Sequence, residues 1–187
     1  MTISYLGQRR PAIISPGAAI LVLSLALAPA GCRPHRRAAV QTVEEETALQ
    51  SVVATADQNA ATQLISGFYG IEQHAWRWTA GRFSVLLRPP RTAASKGAQL
   101  QFKFTIPEVS MTQLKAVTLS AYVNGTPLAP ENYTHSGEFV YKRDVPANLL
   151  GGEVARIDFT LDKTVPPSAA DRRELGVVAT LVGFQPK

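Results

Sequence analysis

Along the middle and end of the chain, apolar and polar residues alternate over strand lengths, and breakers stand between the alternating runs. Leu100, Phe102, Phe104 and Ile106 share one parity while Gln101, Lys103 and Thr105 take the other. That is the pattern of an antiparallel strand with one buried and one solvated face. Phe83 to Leu87 and Val117 to Val123 have the same character, and further strands are predicted at Phe139 to Lys142, Val154 to Leu161 and Val177 to Phe184. Between Val123 and Thr126 stands Asn124-Gly125, the pair that best accommodates the two left-handed residues of a type I′ hairpin. Pro89-Pro90, Pro107, Pro127, Pro130, Pro146, Gly151-Gly152 and Pro166-Pro167 punctuate the rest. No helical pattern of convincing length lies between strands, which argues against a parallel sheet. The expected fold is an all-β antiparallel sandwich of roughly eight strands, jelly-roll-like in topology.

The N-terminal third is patterned differently. Arg9 and Arg10 precede an apolar run from Ala18 to Leu27, and Ala28-Pro29-Ala30-Gly31 brings small residues up to Cys32. Pro16 and Gly17 interrupt the run and Pro29 ends it, so it is shorter than the ~20 apolar residues of a spanning helix. The arrangement resembles a bacterial lipoprotein signal with its lipobox, with Pro29 in place of the usual leucine. The resemblance implies removal of residues 1–31, lipidation of Cys32 and attachment to a membrane. Ala28-Pro29-Ala30 also fits an ordinary secretory cleavage site. In that case Cys32 is a free thiol near the mature N-terminus. The arginine pair is similar to a twin-arginine signal too, but Pro11 follows it at once and the wider motif is missing. From Arg33 to about Asn59 the chain is polar. It is predicted to be a flexible tether, with one or two helical turns suggested by the spacing of Leu49, Val52 and Val53. The domain organisation expected is thus a signal over 1–31, a lipidated N-terminus and tether over 32–59, and the sandwich over 60–187.

Composition narrows the function classes. The formal charge of +5 includes Arg9 and Arg10 of the signal, so the basic balance of the remainder is mild and nucleic acid is not an expected partner. Arg33, Arg36 and Arg37 follow Cys32 directly, where each would gain about 1 kcal/mol near an anionic leaflet or simply form part of a solvated linker. A single cysteine allows no internal disulfide, so stability rests on packing.

The densest chemistry lies in Gly67-Phe68-Tyr69-Gly70-Ile71-Glu72-Gln73-His74-Ala75-Trp76-Arg77-Trp78-Thr79, which holds both tryptophans of the chain. If Ala75 to Thr79 is extended, Trp76 and Trp78 share one face and Arg77 and Thr79 the other. Two indoles on an outer face would form a platform for the apolar faces of sugar rings, with Tyr69, Glu72, His74 and Arg77 around it. Alternatively both indoles complete the core and Glu72 pairs with Arg77. Asp171-Arg172-Arg173-Glu174 places two carboxylates and two guanidiniums in four residues ahead of Gly176 and the last strand. Bidentate pairing among Asp171, Arg173 and Glu174 would lock that loop.

The order Gly-Phe-Tyr, Glu72, Arg77-Trp78-Thr79, Val123-Asn124-Gly125 and Asp171 to Val177 resembles the β-sandwich modules of bacterial surface-polysaccharide and glycosyltransferase-associated proteins, which look like galactose-binding-type jelly rolls. The resemblance spans about Leu64 to Phe184. It implies a carbohydrate role, and a catalytic domain beside the module is not expected.

Enzyme signatures are missing: there is no G-x-S-x-G, H-E-x-x-H, Walker or Rossmann glycine pattern, and no CxxC. His35, His74 and His135 are scattered. Glu72, Glu138, Asp144, Asp158 and Asp162 are the carboxylates that convergence in space would have to join for glycoside hydrolysis. No cofactor, metal or calcium loop is expected. The expectation is a lipid-anchored, non-catalytic envelope protein, held by preference at the outer membrane facing the periplasm or the cell surface. It would bind a glycan or, alternatively, dock on another envelope protein.

Overall fold

The computed structural model describes residues 48–187; Cys32, the signal and most of the expected tether lie outside them. Among the described residues no helix is long and apolar enough to cross a membrane. The fold is an all-β antiparallel sandwich built from ten strands. They are β1 (Val52–Ala54), β2 (Ser66–Glu72), β3 (Trp76–Leu87), β4 (Ala98–Ile106), β5 (Val117–Val123), β6 (Thr126–Pro127), β7 (Glu131–Tyr133), β8 (Gly137–Val145), β9 (Ala155–Leu161) and β10 (Val178–Pro186). Two short helices, α1 (Ala93–Lys96) and α2 (Glu108–Leu114), cap the connections on either side of β4.

Hydrogen bonding runs unbroken in the order β6-β5-β9-β3-β10-β4-β8, and the twelve-residue β3 joins the two layers. Its first half lies in one sheet, where Arg77 and Trp78 pair with Ala179 and Val178 of β10. Its second half lies in the other, where Arg82 to Leu87 pair with β9. Between the halves sits Gly81, where a side chain would collide with the Glu174 carboxylate at 2.7 Å. A strand that changes sheets at a bend is how sandwich corners are made. The strands after it alternate between layers, with β4, β8 and β10 in the first sheet and β5 and β9 in the second. That is the jelly-roll path.

The core lies between the sheets. Phe83 stacks on Phe159 at 5.0 Å, and Phe102 of the first sheet meets Phe159 of the second at 4.8 Å between ring centroids. All three rings are fully buried, each contributing about 1.5–3 kcal/mol by leaving water. The alternation in β4 and β5 holds residue by residue: Leu100, Phe102, Phe104 and Ile106, and Val117, Leu119, Ala121 and Val123, are buried while their neighbours reach the outer face. Asn124 and Gly125 both adopt positive φ, 49° and 82°, and turn β5 into β6.

Strand β10 carries an irregularity between Ala179 and Leu181. Val177 and Ala179 point inward with odd parity, Val182 and Phe184 with even parity. A bulge is the only way both pairs reach the core, since a strand without one would turn one pair out to solvent.

One expectation needs correction. Residues 52–54 are not a helical turn in a tether; they form β1, paired antiparallel with Leu181 to Gly183 of β10. Val53 is buried. Three apolar residues at helical spacing are too few to outweigh the open edge that β10 offers where β3 leaves it. A single 3₁₀ turn, Gln58–Thr62, follows, capped by the Asp57 side chain accepting from the Asn59 amide.

Candidate functional site: an indole-lined cleft on the outer face

β2 and β3 form a hairpin whose tip is Gln73-His74. Both residues have positive φ, 48° and 56°, and the Ala75 amide donates to the Glu72 carbonyl across the turn at 3.0 Å. Asn124-Gly125 also has two successive positive φ values, but its loop holds two residues between Val123 and Thr126, whereas this one holds three between Glu72 and Trp76, none of them glycine. Left-handed backbone costs an ordinary residue roughly 1–2 kcal/mol, so neighbours must hold the tip.

Two sets of contacts do. On the inner side, the Arg77 Nε donates to the Thr55 carbonyl at 2.6 Å and its Nη1 to the Tyr69 carbonyl at 2.8 Å. Thr55 is fully buried, donating its hydroxyl to Ala179 O at 2.6 Å and its amide to Thr180 O at 3.0 Å. β1 therefore pins the bulge of β10 and the base of the hairpin together. On the loop side, Arg173 binds Asp171 through Nε and Nη2 and reaches Glu72 with Nη1 at 2.7 Å. Its guanidinium lies 5.2 Å from the Tyr69 ring centroid, and the Tyr69 hydroxyl donates to Glu174 O at 2.8 Å. These hydrogen bonds from Arg173 hold the Asp171 carboxyl down to about 2, and the two carboxylates in turn raise the guanidinium.

Trp76 and Trp78 stand together on the outer face, each partly exposed. With Glu72, Pro107, Val178 and Thr180 they line a cleft of about 380 Å³. Trp78 is in register with Val178, Val178 with Thr105 and Thr105 with Glu138, a row across β3, β10, β4 and β8. A second hollow of about 450 Å³ shares Thr105, Glu138 and Thr180 with the first and adds Lys103 and Val140. Thr180 enters the floor because the bulge turns it outward, and its hydroxyl donates to Lys103 O at 3.2 Å. The two hollows form one groove, with apolar indole faces at one end and charged and hydroxyl groups at the other.

The residues singled out in the sequence divide accordingly. Trp76 and Trp78 line the cleft. Glu72 belongs both to the cleft and to the Arg173 clamp, and it pairs with Arg173 rather than Arg77. Arg77 lies on the opposite face and is engaged by backbone carbonyls, so it does not sit at the rim. Tyr69 serves the clamp. His74 is exposed at the hairpin tip, outside the cleft lining. Glu174 accepts from the Thr164 hydroxyl at 2.7 Å instead of pairing with an arginine. Cys32 lies outside the described residues. Of the other carboxylates, Asp158 binds Arg156 and Ser84, Asp162 accepts from the Thr118 amide, and Asp144 pairs with Lys187, none of them in the cleft. Among the described residues no three His, Cys, Asp or Glu side chains converge as a metal site.

Of the five carboxylates considered for convergence, Glu72 and Glu138 line the same cleft, while Lys103, Thr105, Val178 and Thr180 carried no signal in the sequence beyond outward parity. They meet because β10 comes to lie between β3 and β4, a neighbourhood set by topology.

No family model matches the chain, and no curated protein matches it. Solved structures of similar shape include an acetyl xylan esterase from the rumen bacterium Butyrivibrio proteoclasticus, at 9% identity and a TM-score of 0.41, covering 74% of this chain. The overlap spans 34% of the esterase, so only part of that protein is concerned. The CBM36-1 domain of a multidomain xylanase from the hindgut metagenome of Trinervitermes trinervoides overlaps over 73% of this chain and 96% of its own, at 9% identity and a TM-score of 0.41. A family 35 carbohydrate binding module from Clostridium thermocellum overlaps over 71% and 96%, at 12% identity and a TM-score of 0.42. Superpositions this loose say nothing about what the chain binds.

Proposed function

We propose that this chain is a non-catalytic, membrane-anchored envelope lipoprotein whose sandwich binds a carbohydrate in the cleft beneath Trp76 and Trp78. The observation that carries the binding reading is the pair of partly exposed indoles on one outer face, lining a concave cleft with two carboxylates and two hydroxyls beside them. Sugar rings present C–H faces that stack on indoles and hydroxyls that need polar partners, and a cleft of this kind supplies both. The anchor rests on the residues up to Cys32, and Arg33 after the cysteine favours the outer membrane by the enteric sorting pattern. An envelope protein docking on the same face is the competing occupant.

The test is tryptophan fluorescence of the full chain against an array of envelope polysaccharides, with iodide as quencher. The expected result is iodide-accessible emission that shifts with one glycan class. Trp76→Ala and Trp78→Ala should each weaken that response about thirtyfold or more, as the loss of a central aromatic contact does, while the melting temperature changes little. Emission unresponsive to every glycan, together with a co-purifying envelope protein lost in the same variants, would replace this reading with the docking one.

A further inference from the structure

The groove continues well past the indoles. We infer that it takes an uncharged glycan chain laid across the strands, and that Lys103 and Glu138 read a vicinal diol at the end away from the tryptophans. This rests on the carbohydrate reading above and specifies its ligand.

Length is the first ground. Trp78, Val178, Thr105 and Glu138 are successive register partners on four strands. Three inter-strand steps of ~4.8 Å separate the ends by about 14 Å, room for about three linked pyranose rings rather than one. The floor between is small, Val178, Thr105 and Thr180, so nothing bulky divides the two hollows.

Charge is the second ground. Lys103 and Glu138 are both exposed, and neither takes part in an ion pair among the described residues. Lys103 is opposite Val140, and Thr105 is opposite Glu138. The ammonium and the carboxylate therefore sit diagonally on adjacent strands, facing the same hollow. An ammonium only donates and a carboxylate only accepts. Two neighbouring hydroxyls satisfy both at once, one accepting from Lys103 Nζ and the other donating to Glu138. A uronate drawn to Lys103 would also meet Glu138, and an amino sugar drawn to Glu138 would also meet Lys103, so for either the gain from one partner is offset by the like charge beside it. Glu72, the other carboxylate of the groove, shares the single guanidinium of Arg173 with Asp171, so the groove carries no excess positive charge to attract an anionic polymer.

The experiment uses the full chain in affinity electrophoresis against hydroxyethylcellulose, xylan, galactomannan and pullulan, with polygalacturonate as the anionic comparison. Calorimetry then follows an oligosaccharide series from the retained polymer. Expected are retention by a neutral polymer and not by polygalacturonate, affinity rising about tenfold or more from one ring to three and then levelling, and little change between low and high salt. Lys103→Met and Glu138→Gln should each weaken the trisaccharide about tenfold, the loss of a hydrogen bond to a charged group, and leave a single ring unaffected. Both side chains are exposed, so unchanged melting checks the fold. Equal affinity for one ring and three, or variants that bind the trisaccharide as the wild type does while Trp78→Ala does not, would overturn this inference and leave the carbohydrate reading standing. A chain that no polymer retains and whose indoles respond to none would overturn both.

Discussion

Two hairpins of this molecule set a pair of left-handed residues at the tip, one in a two-residue loop and one in a three-residue loop, from opposite materials. At β5–β6 the left-handed positions are Asn124 and Gly125; at β2–β3 they are Gln73 and His74. The first pair adopts the turn with little strain: around Gly125 there is open space, and Asn124 donates to Leu149 O and Arg156 O and accepts from the Arg156 amide. The second has neither glycine nor asparagine, and its shape is imposed by Arg77 from one side and Arg173 from the other. Backbone held in a disfavoured region marks a place where surrounding structure overrules local preference. Here that place adjoins the indole cleft, while the relaxed turn adjoins nothing of chemical interest. The hairpin that costs more to build is the one that positions Glu72, Trp76 and Trp78.

The difference should show most strongly at Gly67. This glycine has φ of 71°, and a Cβ there would run into the Arg82 carbonyl and come within 2.7 Å of Phe83 Cα. Both obstacles are backbone or core and neither can yield. Gly67→Ala should cost about 3 kcal/mol through overpacking and a disallowed φ, read as a lower urea midpoint, and it should disturb tryptophan emission because β2 and β3 part. A variant as stable as the wild type would mean that β2 is not anchored as described.

Substitutions at the two tips should then have opposite signs. Gly125→Ala meets no atom within 4 Å, so it should cost the left-handed penalty of about 1–2 kcal/mol less the ~0.5–1 kcal/mol returned by a stiffer unfolded chain, a net of roughly 0.5–1 kcal/mol. His74→Gly should remove that penalty at the strained tip. Part of the gain returns as extra freedom of the unfolded chain, about 0.5–1 kcal/mol, leaving a stabilisation of roughly 0.5 kcal/mol by urea unfolding. If His74→Gly destabilises instead, the imidazole itself holds the tip and the turn is not strained in the sense argued.

The same contrast explains what could be read without a structure. β4 and β5 were legible because each buries one face, so period two is written directly into the residues. Asn124-Gly125 was legible because the turn type demands those residues. Gln73-His74 was not, since nothing in the pair asks for positive φ, and β2 is glycine-rich with irregular pairing. The sequence of β1 reads as part of a tether because so few apolar residues fit a helix as well as a strand; only the vacant edge of β10 decides. In the cleft, the shared face of Trp76 and Trp78 follows from strand period. The Glu72–Arg173 contact joins residues 101 apart, and no spacing rule reaches across that distance. Lys103 reads as an ordinary solvent position, and Glu138 as one of five scattered carboxylates, because what brings them together comes from the neighbouring strands.

The smallest expected effect is a dependence on pH confined to the strained hairpin. Asp171 is ionised down to about 2 in the folded chain because Arg173 hydrogen-bonds it, against about 3.9 when unfolded. Between these values the unfolded state binds more protons, so the clamp's contribution is fully present above about pH 4 and is lost as the pH falls toward 2. The group is solvent-accessible, which keeps the effect modest. Amide protection factors should fall over that window at Ala75 and Arg173, whose hydrogen bonds depend on the clamp, and should hold steady at Leu128 beyond the Asn124-Gly125 turn. In Asp171→Asn the first pair should already be weakly protected at pH 7 and flat below it. Equal acid sensitivity at both hairpins would show that general acid expansion, and not release of Arg173, governs the tip, and the distinction between a turn held by an ion-paired clamp and one whose own residues suit it would fall with it.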